Sequence, residues 1–308
     1  WQQNFDYTLT FTYNGVAPSG TTTVYPREAI VIDNRPGTAD VSVTGSARNP
    51  YPWVSNNSGS GITVYSRGAV TVKDTNLHRD GGVGLFIGND QALTPKNVTV
   101  ENVDVHRSRY RGLFIDSIGV VAMKNIHSTD NEGDGIYVDN CNFDSGAGKC
   151  RGNAPVSLLA TSSTDNYISN NGGNGVSFYT IGLVTINNLS AENNAHEGLL
   201  VNAPDVSDFN PLVRPSVIGG VTMTTLGDYW NHVGSTYNSA GGVKIHTYGP
   251  VTLTRLGVDS NDGTGVYIDN SDAYTPKAVT LTNVDDYFNF CHGIEIYSRG
   301  AVTLNGVA

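Results

Sequence analysis

Glycines that precede an apolar-x-apolar triplet recur along the chain and constrain its fold more than any other feature. These anchor glycines are Gly61, Gly84, Gly112, Gly135, Gly175, Gly198, Gly242, Gly265 and Gly293, with spacings of 23, 28, 23, 40, 23, 44, 23 and 28 residues. A fixed unit of 23 residues therefore alternates with a longer unit of variable length. Self-similarity at such a period indicates a repeat architecture, with one structural unit per repeat.

The short units align without a gap, as "GITVYSRGAVTV", "GLFIDSIGVVAM", "GVSFYTIGLVTI", "GVKIHTYGPVTL" and "GIEIYSRGAVTL". Positions one and three after the anchor are apolar, which predicts a strand with one buried face. A second glycine at position seven predicts a bend, and a second apolar-x-apolar pair follows it. A third apolar point comes at Thr75, Ile126, Leu189, Leu256 and Val307. Three short strands and three corners per unit describe one coil of a parallel β-helix.

The long units read "GLFIGN", "GIYVDN", "GLLVNA" and "GVYIDN" after their anchors, and "AIVIDN" at Ala29 is an earlier example. Loop insertions in solenoids fall in corners, so the extra length is expected there. The two largest insertions are predicted near 141–153 and 204–215. Residues 1–308 are expected to form one solenoid domain, in which 1–28 make irregular first coils.

The position five residues after each anchor carries a small polar side chain in all coils but one. Long coils have Asn34, Asn89, Asn140 and Asn270, interrupted by Ala203, and short coils have Ser66, Ser117, Thr180, Thr247 and Ser298. Side chains stacked one strand spacing apart can hydrogen-bond from coil to coil. We predict an internal ladder with a structural role.

The repeated "GxGVxIxN" and "GxVTLxNV" stretches are similar to the right-handed parallel β-helix superfamily typified by pectate lyases and polygalacturonases. The resemblance covers the chain from about Ala29 to its end. It implies an all-β, single-stranded right-handed parallel β-helix of about ten to eleven coils. It leaves the activity open, because this superfamily includes adhesins, surface-layer proteins and phage tailspikes as well as enzymes.

Composition excludes some classes of partner and favours a compartment. The net charge of −10 argues against nucleic acid and against an anionic membrane surface. No apolar run approaches the ~18 residues of a membrane-spanning helix. The chain begins at Trp1 without a leader, which we interpret as a processed or excised piece. A disulfide between Cys141 and Cys150 would close a Gly-rich loop and favour an extracellular or cell-surface location, whereas Cys291 is expected to be a small buried residue.

Two aspartates supply the first candidate chemistry. Asp116 and Asp139 stand four places after anchors of consecutive coils, so their carboxylates should lie ~5 Å apart. Such a pair would raise one pKa or bind a cation such as calcium. Lys244 and His246 follow two or three coils later, and a calcium-assisted polysaccharide lyase needs both a bound cation and a base. The alternative is that each aspartate only starts a turn.

The stretch "NVDDYFNFCHGIEI" resembles the polygalacturonase pattern of paired aspartates followed by His-Gly before a strand. The residues concerned are Asp285, Asp286 and His292. In that family paired carboxylates activate water and protonate the leaving oxygen. The family's other landmarks are not found where they should be, so a corner role is the competing interpretation.

An aromatic strip is predicted two places after the anchors of three successive coils, at Phe86, Phe114 and Tyr137. Exposed rings on a sheet suit sugar rings or a protein partner. The alternative is that a long loop covers them.

The two chain ends match each other. Joined, "LNGVA" and "WQQNFDYT" align with "LTNVDDYFNFCHG" of the preceding coil, which makes Trp1, Phe5 and Val307 candidate assembly residues. Either a longer chain repeats this unit in tandem, or subunits stack end to end; coincidence over degenerate positions is the third alternative. An uncapped solenoid end is an assembly surface.

The favoured function is an extracellular structural β-solenoid: a rod, adhesin or filament subunit. No cofactor is expected, and calcium is the alternative. The alternatives are a calcium-assisted polysaccharide lyase or a glycoside hydrolase, and a non-catalytic glycan-binding module. The sequence leans against an enzyme because no dense cluster of catalytic residue types stands out.

Overall fold

The computed structural model describes residues 30–45, 53–161, 166–204, 219–225 and 234–308. Throughout these ranges the chain winds in coils of strands and corners. They contain no helix long and apolar enough to cross a membrane. All strand pairings between coils are parallel, as the resemblance implies.

The first sheet has ten strands, one from each coil, and every strand pairs in register with the next. Its strands are β1 (Ile30–Asn34), β4 (Ile62–Ser66), β6 (Leu85–Gly88), β8 (Leu113–Asp116), β10 (Ile136–Asp139), β15 (Val176–Tyr179), β18 (Leu199–Asn202), β21 (Val243–His246), β23 (Val266–Asp269) and β25 (Ile294–Tyr297). An anchor glycine directly precedes each of these strands except β1, which follows Ala29. The pairing therefore places equivalent residues of all coils in straight columns.

The second sheet contains fourteen strands and wraps the remaining sides of the coils. They are β2 (Val41–Thr44), β3 (Trp53–Ser55), β5 (Val70–His78), β7 (Val98–His106), β9 (Val121–Thr129), β13 (Val156–Leu159), β14 (Asn166–Ser169), β16 (Val184–Asn187), β17 (Leu189–Glu192), β19 (Val221–Thr224), β20 (Gly234–Thr236), β22 (Val251–Asp259), β24 (Val279–Tyr287) and β26 (Val302–Asn305). A separate antiparallel hairpin joins β11 (Phe143–Asp144) to β12 (Lys149–Cys150).

The core runs along the axis of the solenoid as one continuous apolar cluster. Alternate residues of each strand point inward, so Val64, Ile87 and Ile115 stack on successive coils and are fully buried. Each such side chain contributes roughly 1.5–3 kcal/mol relative to an exposed position. The alternation seen in the sequence is therefore the direct cause of the closed cross-section.

Two corners are formed by residues in the left-handed backbone region, which the sequence pattern did not predict. One column lies ten residues before the anchors and includes Asp74, Asn102, Asn125, Asn188, Arg255 and Asn283. It bends the nine-residue strands of the second sheet, so the predicted second and third strands are often one bent strand. The other column lies five residues before the anchors and includes Asn56, Arg79, Arg107, Asp130, Asn170, Asn193, Tyr237, Ser260 and Phe288. Asn and Asp tolerate this region best, which explains their abundance at the first corner.

Glycine recurs with the period of the repeat because neighbouring coils approach each other closely at these positions. A Cβ on Gly112 would lie 2.7 Å from the carbonyl oxygen of Gly135, the next anchor. The glycine seven residues later is crowded from the preceding coil: a Cβ on Gly119 would lie 2.1 Å from the carbonyl oxygen of Lys96. Both distances are below van der Waals contact, so a larger residue would push neighbouring coils apart.

The sequence-based fold prediction is confirmed, because the ten strands of the first sheet mark ten coils of an all-β parallel solenoid. Residues 1–28 lie outside the described residues, as does nearly all of 204–215. The insertion near 141–153 is described, and it leaves the coil as the small hairpin β11–β12.

Candidate functional site

Buried amides join the coils on the inside of the solenoid. Asn140 Nδ2 donates to the carbonyl oxygens of Ser117, at 3.4 Å, and Gly119, at 2.6 Å, on the preceding coil. Asn89 repeats this arrangement two coils earlier, and both asparagines are fully buried. The column five residues after the anchors is thus internal, as predicted. Its asparagines bond mainly to backbone carbonyls rather than to each other.

A second and more regular ladder lies four residues before the anchor glycines, and the sequence analysis missed it. Its asparagines are Asn131, Asn171, Asn194, Asn238, Asn261 and Asn289. Each side-chain Nδ2 donates to Oδ1 of the next asparagine at 2.8–3.0 Å. The backbone N–H of each also donates to that same Oδ1 at 2.9–3.2 Å. Asparagine at a fixed offset from the anchor was the available signal. We name this column the long asparagine ladder.

Two coils before the long asparagine ladder begins, the same column carries a carboxylate, Asp80. Asn57 Nδ2 donates to Asp80 Oδ1 at 2.7 Å, in the same direction as the bonds further along. Asp80 is 1% exposed, and its Oδ2 has no hydrogen-bond partner among the described residues. Burial raises the pKa of Asp80 to about 7, against the opposing hydrogen bond from Asn57. An amide would satisfy this position better than an ionised carboxylate.

The structure brings Asp116 and Asp139 together, as the sequence predicted. They are directly paired across β8 and β10, on the outer face of the first sheet. Asp139 Oδ1 accepts the backbone N–H groups of Cys141 and Asn142 at 3.1 and 2.8 Å. Asp116 Oδ1 accepts Asn142 Nδ2 at 3.0 Å. Both carboxylates therefore hold the start of the disulfide loop, which is the structural alternative.

Both aspartates are partly removed from water. Burial raises the pKa of Asp116 to about 6, and the charges of Asp90 and Asp139 add to the effect. Burial also raises the pKa of Asp139, while its two backbone hydrogen bonds oppose that rise. In the described part of the chain, no three His, Cys, Asp or Glu side chains converge to hold a metal ion. Calcium at this pair stays a prediction.

Lys244 and His246 lie apart from the aspartate pair. His246 occupies the same outward column on β21, but β15 and β18 stand between it and Asp139. Three strand spacings separate the two side chains, which is ~14 Å. Lys244 forms a 3.5 Å ion pair with Glu197 instead. The base that a lyase would need is therefore not assembled beside Asp116 and Asp139.

The consecutive residues Asp285 and Asp286 also fail to form a pair. They follow each other on β24, and successive side chains of a strand point to opposite faces. Asp286 points inward: a Cβ on Gly265 would lie 2.6 Å from its Oδ1. His292 lies 3.6 Å from Glu295. The resemblance to the polygalacturonase pattern does not extend to the geometry of paired catalytic carboxylates.

The aromatic strip forms on the outer face of the first sheet. Phe86 and Phe114 meet edge to face with centroids 5.0 Å apart, and Phe114 and Tyr137 do so at 5.3 Å. The Arg111 guanidinium lies 3.8 Å from the Tyr137 centroid and 4.7 Å from that of Phe114. All three rings are partly buried, and Arg111 covers part of Phe114 and Tyr137. Sugar or partner binding by Phe86, Phe114 and Tyr137 stays a prediction.

A groove of about 550 Å³ opens beside the strip, and the sequence analysis did not predict it. Its lining includes Tyr110, Arg111, Phe114, Gly133, Asp134, Gly173 and His196. Tyr110 is 61% exposed and His196 is exposed, and both stand two residues before an anchor. The two coils between them carry Gly133 and Gly173 at that position. The side chains of Tyr110 and His196 thus form the two ends of the groove, and its base lies at Gly133 and Gly173.

Two of the three cysteines form a disulfide, and the third is a free thiol. Cys141 and Cys150 are joined by a disulfide that closes the β11–β12 hairpin. The expectation that Cys291 is buried was wrong, because it is free and exposed. It stands two residues before the anchor Gly293, a corner position that faces solvent in other coils too, as His196 does.

The last described coil exposes its apolar residues at an unpaired strand edge. Val302 and Leu304 on β26 are 46% and 52% exposed, although their equivalents in other coils form the core. β25 and β26 are each paired on one side only. Val307 packs partly against the core. Trp1 and Phe5 lie outside the described residues. This edge presents backbone donors and acceptors together with an apolar surface.

These features define the chain as a β-solenoid held together by internal amide ladders. The family model described as "Right handed beta helix region" matches residues 53–207, half of the chain. The chain belongs to this family of right-handed parallel β-helices. No curated protein matches it. Among solved structures there is no match either.

Proposed function

We propose that this protein is an extracellular structural β-solenoid, a rod that associates end to end through the exposed edge of β25 and β26. The observation that carries the proposal is the exposure of core-type residues on β26 at an unpaired edge. Val302 and Leu304 together present an apolar strip beside free backbone groups. A strand added in parallel would satisfy those groups and bury that strip.

The use of the polar residues supports a structural role. The asparagines of the long asparagine ladder bond to one another, and Asp139 holds the start of the disulfide loop. Residue types that could carry chemistry thus serve to fix coils and corners. The disulfide between Cys141 and Cys150 supports an extracellular or cell-surface location, because such bridges persist in oxidising compartments.

Sedimentation velocity over a concentration series tests the association. We expect oligomers to grow with concentration and electron microscopy to show thin rods. Val302→Lys should abolish this growth, because a buried lysine at the contact is costly. Thr303→Lys is the matched control: it lies on the same strand with the opposite orientation, and association should survive. A chain that stays monomeric at ~100 µM, where even weak specific contacts associate, would overturn the proposal.

The groove beside the aromatic strip favours a second candidate function, binding of a neutral glycan chain. Tyr110 offers an exposed ring for stacking, while Asp134 and His196 offer polar groups at the same opening. A sugar ring needs both an apolar face and hydrogen-bond partners at its edge. From Tyr110 to His196 the groove spans three coil spacings, roughly 14 Å, which suits two or three sugar units.

Affinity electrophoresis in gels that contain neutral polysaccharides tests this second function. Tyr110→Ala should remove retardation, since about 1 kcal/mol or more of stacking is lost. Tyr167→Ala is the control, because Tyr167 is 39% exposed on the second sheet, away from the groove. Equal migration of all three proteins in every gel would exclude the candidate.

A further inference from the structure

We propose that Asp80 is present in the folded protein as the neutral carboxylic acid, and that its Oδ2–H donates to the carbonyl oxygen of Val54 in the preceding coil. We call this contact the Asp80 latch. It holds β3 and the corner after β3 against the coil of Asp80, and this corner should open when the proton is lost. The latch requires neither end-to-end association nor a ligand in the groove.

The carboxyl of Asp80 has the orientation of a ladder amide. Its Oδ1 accepts Asn57 Nδ2 at 2.7 Å, and the backbone N–H of Asn57 also donates to the carboxyl. In the long asparagine ladder, Asn171 Oδ1 accepts the same two groups of Asn131, at 2.9 and 3.2 Å. Oδ1 of Asp80 therefore fills the acceptor position, and Oδ2 is left in the place of the amide nitrogen.

The anchor glycines confirm where Oδ2 lies. A Cβ on Gly135 would lie 2.7 Å from Asn171 Nδ2, the ladder nitrogen of the same coil. The other ladder nitrogens lie 2.6–2.9 Å from the Cβ positions of their own anchors. At Gly61 the equivalent contact is with Asp80 Oδ2. An oxygen thus stands where each ladder asparagine has a hydrogen-bond donor.

The group that Oδ2 faces is an acceptor. From Asn171 onward, each ladder nitrogen donates to the carbonyl oxygen that lies seven residues before the anchor of the preceding coil. Asn171 Nδ2 donates to Ser128 O at 3.1 Å, and the later asparagines repeat this bond at 3.0–3.3 Å. For Asp80 that position is Val54, in β3. An ionised Oδ2 beside this carbonyl would bury two acceptors together, which is costly, whereas a proton on Oδ2 makes the contact a hydrogen bond.

The surroundings of the Asp80 carboxyl favour the neutral form. Asp80 is 1% exposed, and its Oδ2 accepts no hydrogen bond from any described residue. The groups around it are neutral and come from three coils: Val54, Asn57, Gly61, Gly84 and Ser108. The titratable and charged side chains of these corners lie on the outer surface instead: His78, Arg79, Arg107 and Arg109.

The direction of the pH effect follows from this burial. Burial raises the pKa of Asp80 from 3.8 to about 7. The open corner would return the carboxyl to water and to its ordinary pKa. The stabilisation by the proton is then fully present below pH ~4 and is lost as the pH rises through ~7.

Amide hydrogen exchange tests the latch in the wild-type chain. The N–H of Gly81 donates to Asn57 O at 2.7 Å across the latch. After correction for the intrinsic effect of pH on exchange, its protection should fall at least tenfold between pH ~5 and pH ~8. The equivalent N–H of Ser239 donates to Asn194 O at 2.9 Å beside Asn238. It is the internal control and should keep its protection, because an amide fills the ladder position there.

Asp80→Asn should keep the latch closed at both pH values, because the amide donor does not titrate. The protection of Gly81 should then be independent of pH. Asp74→Asn is the matched control: it removes an exposed carboxylate from the same strand, and the pH effect should remain. Infrared difference spectra between wild type and Asp80→Asn at pH ~5 should show the carbonyl stretch of one protonated carboxyl group.

Equal protection of Gly81 at both pH values would overturn the proposal. A loss of protection that Ser239 shares would do so too, because the effect would then be global. The same holds for a loss that persists in Asp80→Asn. If Asp80→Asn does not fold, an amide does not fit the donor position, and the proposal is likewise wrong.

Discussion

The stretches 61–72 and 293–304 are nearly the same sequence in opposite environments. Both contain "YSRGAVT", and both form one strand of each sheet. Val70 is fully buried, while its counterpart Val302 is 46% exposed. Coils pack on both sides of the first stretch, whereas β26 is paired only with β24. The sequence of a coil thus dictates its path, and the neighbouring coils dictate its burial.

A charged residue in place of Val70 or of its counterpart Val302 should give the largest difference in unfolding free energy between the two stretches. Val70→Asp buries a carboxylate between coils and should cost about 4 kcal/mol or more, enough to unfold the domain. Val302→Asp should change the free energy of unfolding by less than ~0.5 kcal/mol, since water still reaches the side chain. Urea denaturation followed by circular dichroism measures both. Equal losses would show that the last coil is covered as the inner one is.

Alanine in place of the glycine seven residues after the anchor, Gly68 or Gly300, should destabilise both stretches alike. A Cβ on Gly68 would lie 2.0 Å from Ala39 O, and one on Gly300 would lie 2.1 Å from Lys277 O. Both contacts are to the preceding coil, which both copies possess. We expect each substitution to cost about 2 kcal/mol, measured by thermal unfolding. A harmless Gly300→Ala would mean that the last coil is looser than the inner one.

Asparagine in place of Asp80 should stabilise the coil that begins at Gly61 and contains the stretch 61–72. The folded pKa of about 7 lies above the usual 3.8, so the folded state binds the proton more tightly. The stability that depends on a protonated Asp80 is therefore fully present below pH ~4 and is lost as the pH rises through ~7. Asp80→Asn should add up to about 4 kcal/mol at pH 8, because a pKa raised from 3.8 to about 7 corresponds to ~1.4 kcal/mol per pH unit, and almost nothing at pH 4. Denaturant midpoints at the two pH values measure this; an equal gain at both would contradict a buried carboxylate.

Alanine at the shared arginine should have the smallest effect. Arg67 and Arg299 are corner residues of the two copies, and Arg299 Nη1 donates a long hydrogen bond to Ala273 O, at 3.4 Å. Each Arg→Ala change should shift stability by less than ~0.5 kcal/mol. Denaturation should therefore detect neither. A larger loss for Arg67 alone would indicate that the buried copy uses its arginine in packing.

Much of the fold could be predicted from the sequence, because each repeat has the same short pattern of apolar residues and glycines. Alternating apolar residues predicted the strands, and the same spacing paired Asp116 with Asp139 correctly. The long asparagine ladder escaped notice, although it keeps the same spacings as the anchors. Its residues lie in corners four positions before the anchors, where no alternation of apolar and polar residues marks a buried side chain.

Other features depend on contacts that no local pattern encodes. The groove between Tyr110 and His196 arises because glycines fill the same position on the two coils between them. The separation of His246 from Asp139 depends on how many coils intervene. Cys291 was misjudged because its exposure depends on its corner position rather than on its residue type.

By itself, the sequence determined the period, the inward face of each strand and the close contact of glycine between coils, since each is a steric requirement within one repeat. Only the tertiary structure decided which identical valine is buried, which amides meet and where a groove opens. Those outcomes depend on residues brought together across insertions of unequal length, and the stacking of coils, rather than the chain within a coil, fixes them.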